Sequence, residues 1–365
     1  MENKYLLESF KSFLLNEIYP LTSALDTSFE LMKDLFGKCK KANYFHLYVP
    51  TEYSGIILTA EDRIDLYEKI GQWGGAFGFL QTQTVIVSWL LQQSENNYLK
   101  EKYFFELLSN NLVVGNSLSC IKPGIRNGIS SIKEKNGYRL SGKINFASGY
   151  KFFDELLIGF YIDNQIEAFT IVPFRNYIQN NGEIKIDSIL DVAVMQSINT
   201  VSLSLEDFFI HNKDIIIKWP KNTLYQKYSS SPSATIILGI AISALNAVKE
   251  SSTFNHRQNI VNGYHFLFEK VELYRNKVRQ TNNDLSLSKL CAEIIYISWR
   301  CVEFSVLAAG GAGVLIESNV QRLYREIILW ILQKTYPEII NHWLEMLYSD
   351  IESIGIRHEE NSITY

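Results

Sequence analysis

The chain has little that would tie it to a membrane, to nucleic acid or to a metal. No window reaches about 18 uninterrupted apolar residues, so no membrane span is expected. The first residues, Met-Glu-Asn-Lys-Tyr-Leu-Leu-Glu, interrupt their apolar positions with charge, unlike a secretory leader, and a cytoplasmic location is expected. Lysine and arginine total 35 against 39 acidic residues, a net charge of −4 with no basic block, which offers DNA or RNA no electrostatic footprint. The four cysteines, Cys39, Cys120, Cys291 and Cys301, are too scattered for a metal knuckle and read as free thiols of a reducing compartment. The six histidines show neither ligand spacing nor a nucleophile partner, so no metal site is expected.

What is present is a change of texture along 365 residues, enough chain for two or three compact domains. Up to about Leu112, apolar residues recur three or four apart, as in Tyr5 to Ile18, Ala60 to Trp73 and Val85 to Leu91. Breaks fall at Pro20, Pro50 and the pair Gly74-Gly75. From Val113 to about Lys218, β-branched and aromatic residues cluster into short runs separated by Asn, Gly, Asp and Pro. The clearest runs are Tyr138 to Leu140, Glu155 to Tyr161, Ile166 to Val172 and Val201 to Leu205. Helical periodicity returns after the Ser229-Ser230-Ser231-Pro232 break. Segregated helices and strands argue against a doubly wound α/β fold. The expectation is an α+β chain: an N-terminal helical domain (1–112), a middle antiparallel β-barrel or sandwich (113–218) and a C-terminal four-helix bundle (219–365).

Several phrases resemble the acyl-CoA dehydrogenase superfamily, and the resemblance extends over nearly the whole chain. Asn136-Gly137-Tyr138-Arg139-Leu140-Ser141-Gly142-Lys143-Ile144-Asn145-Phe146-Ala147-Ser148 is similar to that family's Asp-Gly-Tyr-x-Leu-Asn-Gly-x-Lys-x-Trp-Ile-Thr. The match implies that Phe146 packs on a flavin ring and that Ser148 hydrogen-bonds near the flavin N5 and O4. Asn199-Thr200-Val201-Ser202-Leu203-Ser204-Leu205-Glu206-Asp207-Phe208-Phe209-Ile210 resembles the family's closing strand, where a Phe-Glu-Asp-Val phrase ends the β domain. Gly310-Gly311-Ala312-Gly313, followed by Val320-Gln321-Arg322-Leu323-Tyr324-Arg325-Glu326, resembles the family's glycine loop and its Glu-Arg-Leu-Tyr-Arg-Asp helix. By that resemblance Gly310, Gly311 and Gly313 approach the FAD of a neighbouring subunit, backbone N–H groups coming close where no Cβ intervenes. The segments Gly75 to Gln83 and Val114 to Ser119 point to a divergent branch.

Other family features are thinned. The glutamate that removes an α-proton from the thioester falls, by counting, on Lys334, next to Gln333. An ammonium is not a like-for-like base. The alternative place for that glutamate falls near Ser233, again without a carboxylate. Ser117 and Ser119, in Ser117-Leu118-Ser119-Cys120-Ile121-Lys122-Pro123-Gly124, stand where the family carries a flavin-binding Thr-Glu-Pro phrase. Arg257 is the loose counterpart of its pyrophosphate-binding arginine. Each of these residues also has a plain structural reading: a core aromatic, a strand-end hydroxyl, a helix turn, a solvated charge.

The resemblance implies an FAD-dependent oxidoreductase acting on an acyl or aminoacyl thioester, carried by coenzyme A or an acyl carrier protein, in a biosynthetic pathway. It also implies a homodimer or homotetramer, since the family builds its flavin site across subunits. The missing glutamate leaves a flavin-dependent monooxygenase open, and the joint loss of cofactor residues leaves a flavin-free acyl-binding, partner-binding or non-redox homologue open.

Overall fold

A computed structural model describes residues 2–56, 58–110, 112–121, 128–179, 181–224, 227, 234–280, 287–334 and 336–353. Its order is helical, β, helical. The first region holds α1 (Glu2–Phe13), α2 (Thr22–Leu25), α3 (Phe29–Lys41), α4 (Ala60–Lys69), α5 (Gly75–Gln93) and α6 (Asn97–Leu108). Local chemistry sets the boundaries. Ser28 caps α3 by accepting from the Leu31 N–H, and Thr59 and Asp62 form a reciprocal capping box on α4. Gly75 takes φ +52, a left-handed value, where the chain turns from the wide turn Ile70–Gly74 into α5. Most of α5 is buried, which makes it the central helix of this region.

The middle region contains β1 (Val114–Ser117), β2 (Ser130–Glu134), β3 (Gly137–Ala147), β4 (Glu155–Ile162), β5 (Ile166–Pro173), β6 (Tyr177–Gln179), β7 (Gly182–Ile189), β8 (Val201–His211) and β9 (Ile215–Pro220). They form a four-stranded sheet ordered β1-β4-β5-β9 and a five-stranded sheet ordered β2-β3-β8-β7-β6. Of the two expected forms the sandwich is therefore the one found, with no closed barrel among the described strands. One pairing departs from the antiparallel expectation: β1 runs parallel to β4, and the chain between them crosses over through β2 and β3 of the other sheet. Tyr138 of one sheet and Phe160 of the other lie 6.0 Å apart across the shared core.

Among the described residues five helices follow: α7 (Ala234–Glu250), α8 (Gln258–Gln280), α9 (Leu287–Ala309), α10 (Asn319–Leu332) and α11 (Pro337–Ser353). One apolar cluster runs through all three regions, from Phe10 and Phe77 through Phe160 and Phe169 to Ile240 and Ile327. The helical regions meet backbone to backbone. A Cβ on Gly71 would stand 1.8 Å from the Ile236 carbonyl oxygen, so only glycine permits that approach. Nearby, buried Glu68 accepts from Arg275 Nε and Nη2, each at 2.8 Å, tying α4 to α8. Burial pushes the Cys39 thiol far up and the Cys120 thiol to about 11, so neither is a nucleophile at neutral pH.

Candidate active-site cavity

A cavity of about 380 Å3 lies where α5, the β sheets and the end of α10 converge, a size in the range of small-molecule sites. Three kinds of wall make it. From α5 come Phe79, Gln83 and Ile86, spaced four and three apart and hence on one helix face. From the β region come Asn116, Ser117, Ser119, Phe146, Ser148 and Thr200, with Val192, Val194 and Ile198 from the segment before β8. From α10 and beyond come Leu329, Leu332, Gln333 and Tyr336.

Phe146 reaches the cavity through an irregularity in β3. Between Ile144 and Ala147 that strand spends one residue more than its partner β8, which passes from Leu203 to Val201. Strict alternation is broken there, and Asn145 and Phe146 are both exposed. Phe146 keeps 60% of its surface exposed, a large aromatic face left uncovered beside a cavity. Its carbonyl accepts from Ser117 Oγ at 2.7 Å, and the Ser117 and Ser119 hydroxyls stand 3.4 Å apart. Ser148 Oγ and Thr200 Oγ1 are 2.9 Å apart, and Asn116 Nδ2 donates to the Gln83 carbonyl at 2.7 Å. Just beyond Ser148, Gly149 takes φ +91 with the Phe153 ring 2.2 Å from where a Cβ would be, so the turn away from the wall requires glycine.

The lining carries no Asp, Glu, Lys, Arg or His; Tyr336 is its one ionisable side chain among the described residues. Five of the residues singled out from the sequence, Ser117, Ser119, Phe146, Ser148 and Gln333, lie together on this lining. Lys334 is buried, 3% exposed, and stands off the lining, its charge acting on the Cys291 thiol. Arg257 is exposed just before α8, away from the cavity. Gly310, Gly311 and Gly313 belong to a tight turn after α9; a Cβ on Gly310 or Gly311 would meet nothing within 4 Å, so this loop faces open space rather than its own chain's cavity. Ser233 lies outside the described residues, as do Lys122, Pro123 and Gly124. The sequence reading did not find Gln83, Thr200 and Tyr336. Only their facing position singles them out, and α5, buried nearly all round, has no polar face to reveal it.

A helical layer, a two-sheet layer and a second helical layer meeting at an apolar cavity with a few hydroxyls define a class of small-molecule enzyme scaffold. Comparison with known proteins names it. Residues 1–111 match the family described as acyl-CoA dehydrogenase, N-terminal domain. The 3-(aryl)acrylate reductase of Clostridium sporogenes (strain ATCC 15579) is 20% identical over 345 residues, covering 87% of this chain and 90% of the reductase. Among solved structures, an acyl-CoA dehydrogenase complexed with FAD from Bacillus anthracis superposes with a TM-score of 0.71 at 18% identity, over 93% of this chain and 66% of that one. Nitrososynthase from Micromonospora carbonacea var. africana gives 0.75 at 12% identity, over 96% of each chain. Residues 1–111 thus carry the acyl-CoA dehydrogenase N-terminal domain, and the chain as a whole shares the fold of acyl-CoA dehydrogenases, a scaffold that carries flavin-dependent oxidoreductases. Among the described residues no helix is long and apolar enough to cross a membrane.

Proposed function

We propose that the chain is an FAD-dependent oxidoreductase acting on an acyl or aminoacyl thioester, held on coenzyme A or a carrier protein. The observation that carries this reading is the exposed Phe146 ring set among the hydroxyls of Ser117, Ser119, Ser148 and Thr200 on one wall of the cavity. A flat, largely apolar ring system with hydrogen-bonding edges suits such a wall. The residues present thus fit the ring end of FAD. No cation on the described lining meets a diphosphate, so that end would extend beyond these residues, where Arg257 and the Gly310 to Gly313 loop of a second copy would serve. The homodimer or homotetramer is proposed on that basis. When bound, FAD would supply hydride exchange with the β-carbon of an acyl group, conjugated through the α-carbon to the carbonyl.

The chain's own groups then decide the direction. With no carboxylate on the described lining, no group is suited to take an α-proton. A phenol is a proton donor rather than a carboxylate-like base, and Tyr336 would place its proton on the α-carbon. That favours saturation of a conjugated acyl double bond, with the electron pair coming from an external reductant. The similarity to a 3-(aryl)acrylate reductase supports the same direction. The test is a visible absorption spectrum of the purified chain before and after incubation with FAD, followed by product mass with an unsaturated thioester. About one flavin per chain and a gain of two hydrogens are expected; a colourless chain that takes up no FAD would overturn the reading.

The same charge-free lining favours one second reading, a flavin-dependent monooxygenase, because oxygen transfer does not begin with removal of an α-proton. The fold is shared with a nitrososynthase. A product heavier by one oxygen atom would select that reading; a product heavier by two hydrogens would exclude it.

A further inference from the structure

Two walls of the cavity share an anchor that does not itself line it. The segment carrying Val192, Val194, Ile198 and Thr200 has no regular strand pairing until β8 begins, and Met195 and Asn199 sit at φ 54 and 48 within it. Asparagine adopts such values readily, but a methionine holds one only where surrounding bonds impose it. The bonds come from Asp26, 2% exposed, immediately after α2. Its Oδ1 accepts the Met195 N–H at 2.6 Å, and its backbone carbonyl accepts the Ser197 N–H at 3.1 Å. The Ser197 hydroxyl also donates to the Leu25 carbonyl. The second oxygen, Oδ2, accepts from Arg325 Nη2 at 2.7 Å, on α10 one turn before Leu329. One buried carboxylate therefore bonds the loop wall and the helix wall at once, with a charged donor on one side and a strained backbone on the other.

We propose that Asp26 is a positioning residue of this cavity: it clamps the 192–200 segment to α10 and so fixes the spacing between the walls that receive the ligand. Asp26 is not on the cavity lining; its hydrogen bonds reach the two walls through Met195, Ser197 and Arg325. The clamp predicts a local effect. Without it the left-handed backbone relaxes, the cavity loses its width, and binding weakens before the fold as a whole does.

The experiment uses the full chain and its Asp26→Asn variant. It reads hydrogen exchange of the 191–200 amides without FAD, FAD affinity by titration, and the thermal unfolding midpoint. Loss of a charge-assisted bond predicts exchange at Met195 and Ser197 faster by about tenfold, and FAD affinity weaker by about the same factor. Exchange in the β3–β8 ladder is expected to stay as in the wild type. If Asp26→Asn does not fold, Arg325→Gln, which spares the Met195 bond, is expected to show both effects at roughly threefold. Wild-type exchange across 191–200, a uniform rise over the whole chain, or faster local exchange with unchanged FAD affinity would each overturn the clamp. The FAD arm rests on the cavity being the flavin site. Failure of the wild type to take up FAD overturns that reading, and the exchange arm then decides the clamp alone.

Discussion

Two buried places lie close together along α10, and they treat charge in opposite ways. The cavity takes Leu329, Leu332 and Gln333 from the end of the helix and carries no ionised side chain on its described lining. One to two turns earlier, buried Arg322 pairs with Glu326 and half-buried Arg325 pairs with buried Asp26, a cluster of two cations and two carboxylates. Arg322 and Glu326 are each 1% exposed and paired at 2.5 Å. The buried stripe of α10 thus contains charge where an ordinary amphipathic helix would carry leucine. The difference teaches where electrostatics is used in this molecule: in holding walls together rather than at the place where bonds would change.

The sharpest way to break that contrast is to leave one partner of the buried pair alone. Arg322→Leu strands the Glu326 carboxylate, which costs about 3–5 kcal/mol in folding stability by chemical denaturation. A change below about 1 kcal/mol would mean that the pair is not the buried contact described here. Tyr336→Phe tests the other place. If the phenol is the cavity's proton donor, turnover of an unsaturated thioester should fall by about 100-fold, with FAD affinity unchanged. Turnover within about twofold of wild type would remove Tyr336 from the chemistry.

The cluster also makes a pH prediction with a definite sign. Burial holds the Glu326 carboxyl above its ordinary value of 4.5, outweighing the opposing pull of Arg322. The folded state therefore binds that proton more tightly than the unfolded one. The stability it contributes is fully present below about pH 4.5 and is lost as pH rises through the folded value. The stability of the wild type relative to Glu326→Gln should accordingly decline with rising pH above 4.5. A difference that grows with pH would show that Arg322 dominates and that the carboxylate is ionised throughout.

The contrast explains what could be read from the sequence. Strands β4 and β5 are runs of buried apolar residues, and both were legible as such. Strand β7, Gly182–Ile189, buries little beyond Ile184, and β2 buries none of its side chains, so both look like loop until sheet pairing supplies the reason for them. In the cavity, Ser117, Phe146 and Ser148 stand out because they sit in phrases with a family counterpart. Thr200 lies in such a phrase too, but nothing there marks it as a site residue, since its role is a 2.9 Å contact with Ser148 across 52 positions of chain. Asp26 is a lone acid after a short helix, which reads as surface charge. Only the fold brings Met195 and Arg325 to it.

The smallest expected effects sharpen the comparison from the cavity side. Phe146 is 60% exposed, so Phe146→Ala should leave folding stability within about 0.5 kcal/mol of wild type. A ring stacked on a flavin contributes about 0.5–1.5 kcal/mol beyond its area, so FAD affinity should weaken by roughly tenfold. Ser148→Ala removes one hydroxyl and leaves Thr200 in place to donate, and affinity should drop by only a few-fold. The two variants together separate a binding wall from a packed one. A core aromatic would lose stability without changing FAD uptake, whereas a stacking face loses FAD uptake at unchanged stability, and Phe146, uncovered at an irregular point in its strand, has the exposure of the second kind.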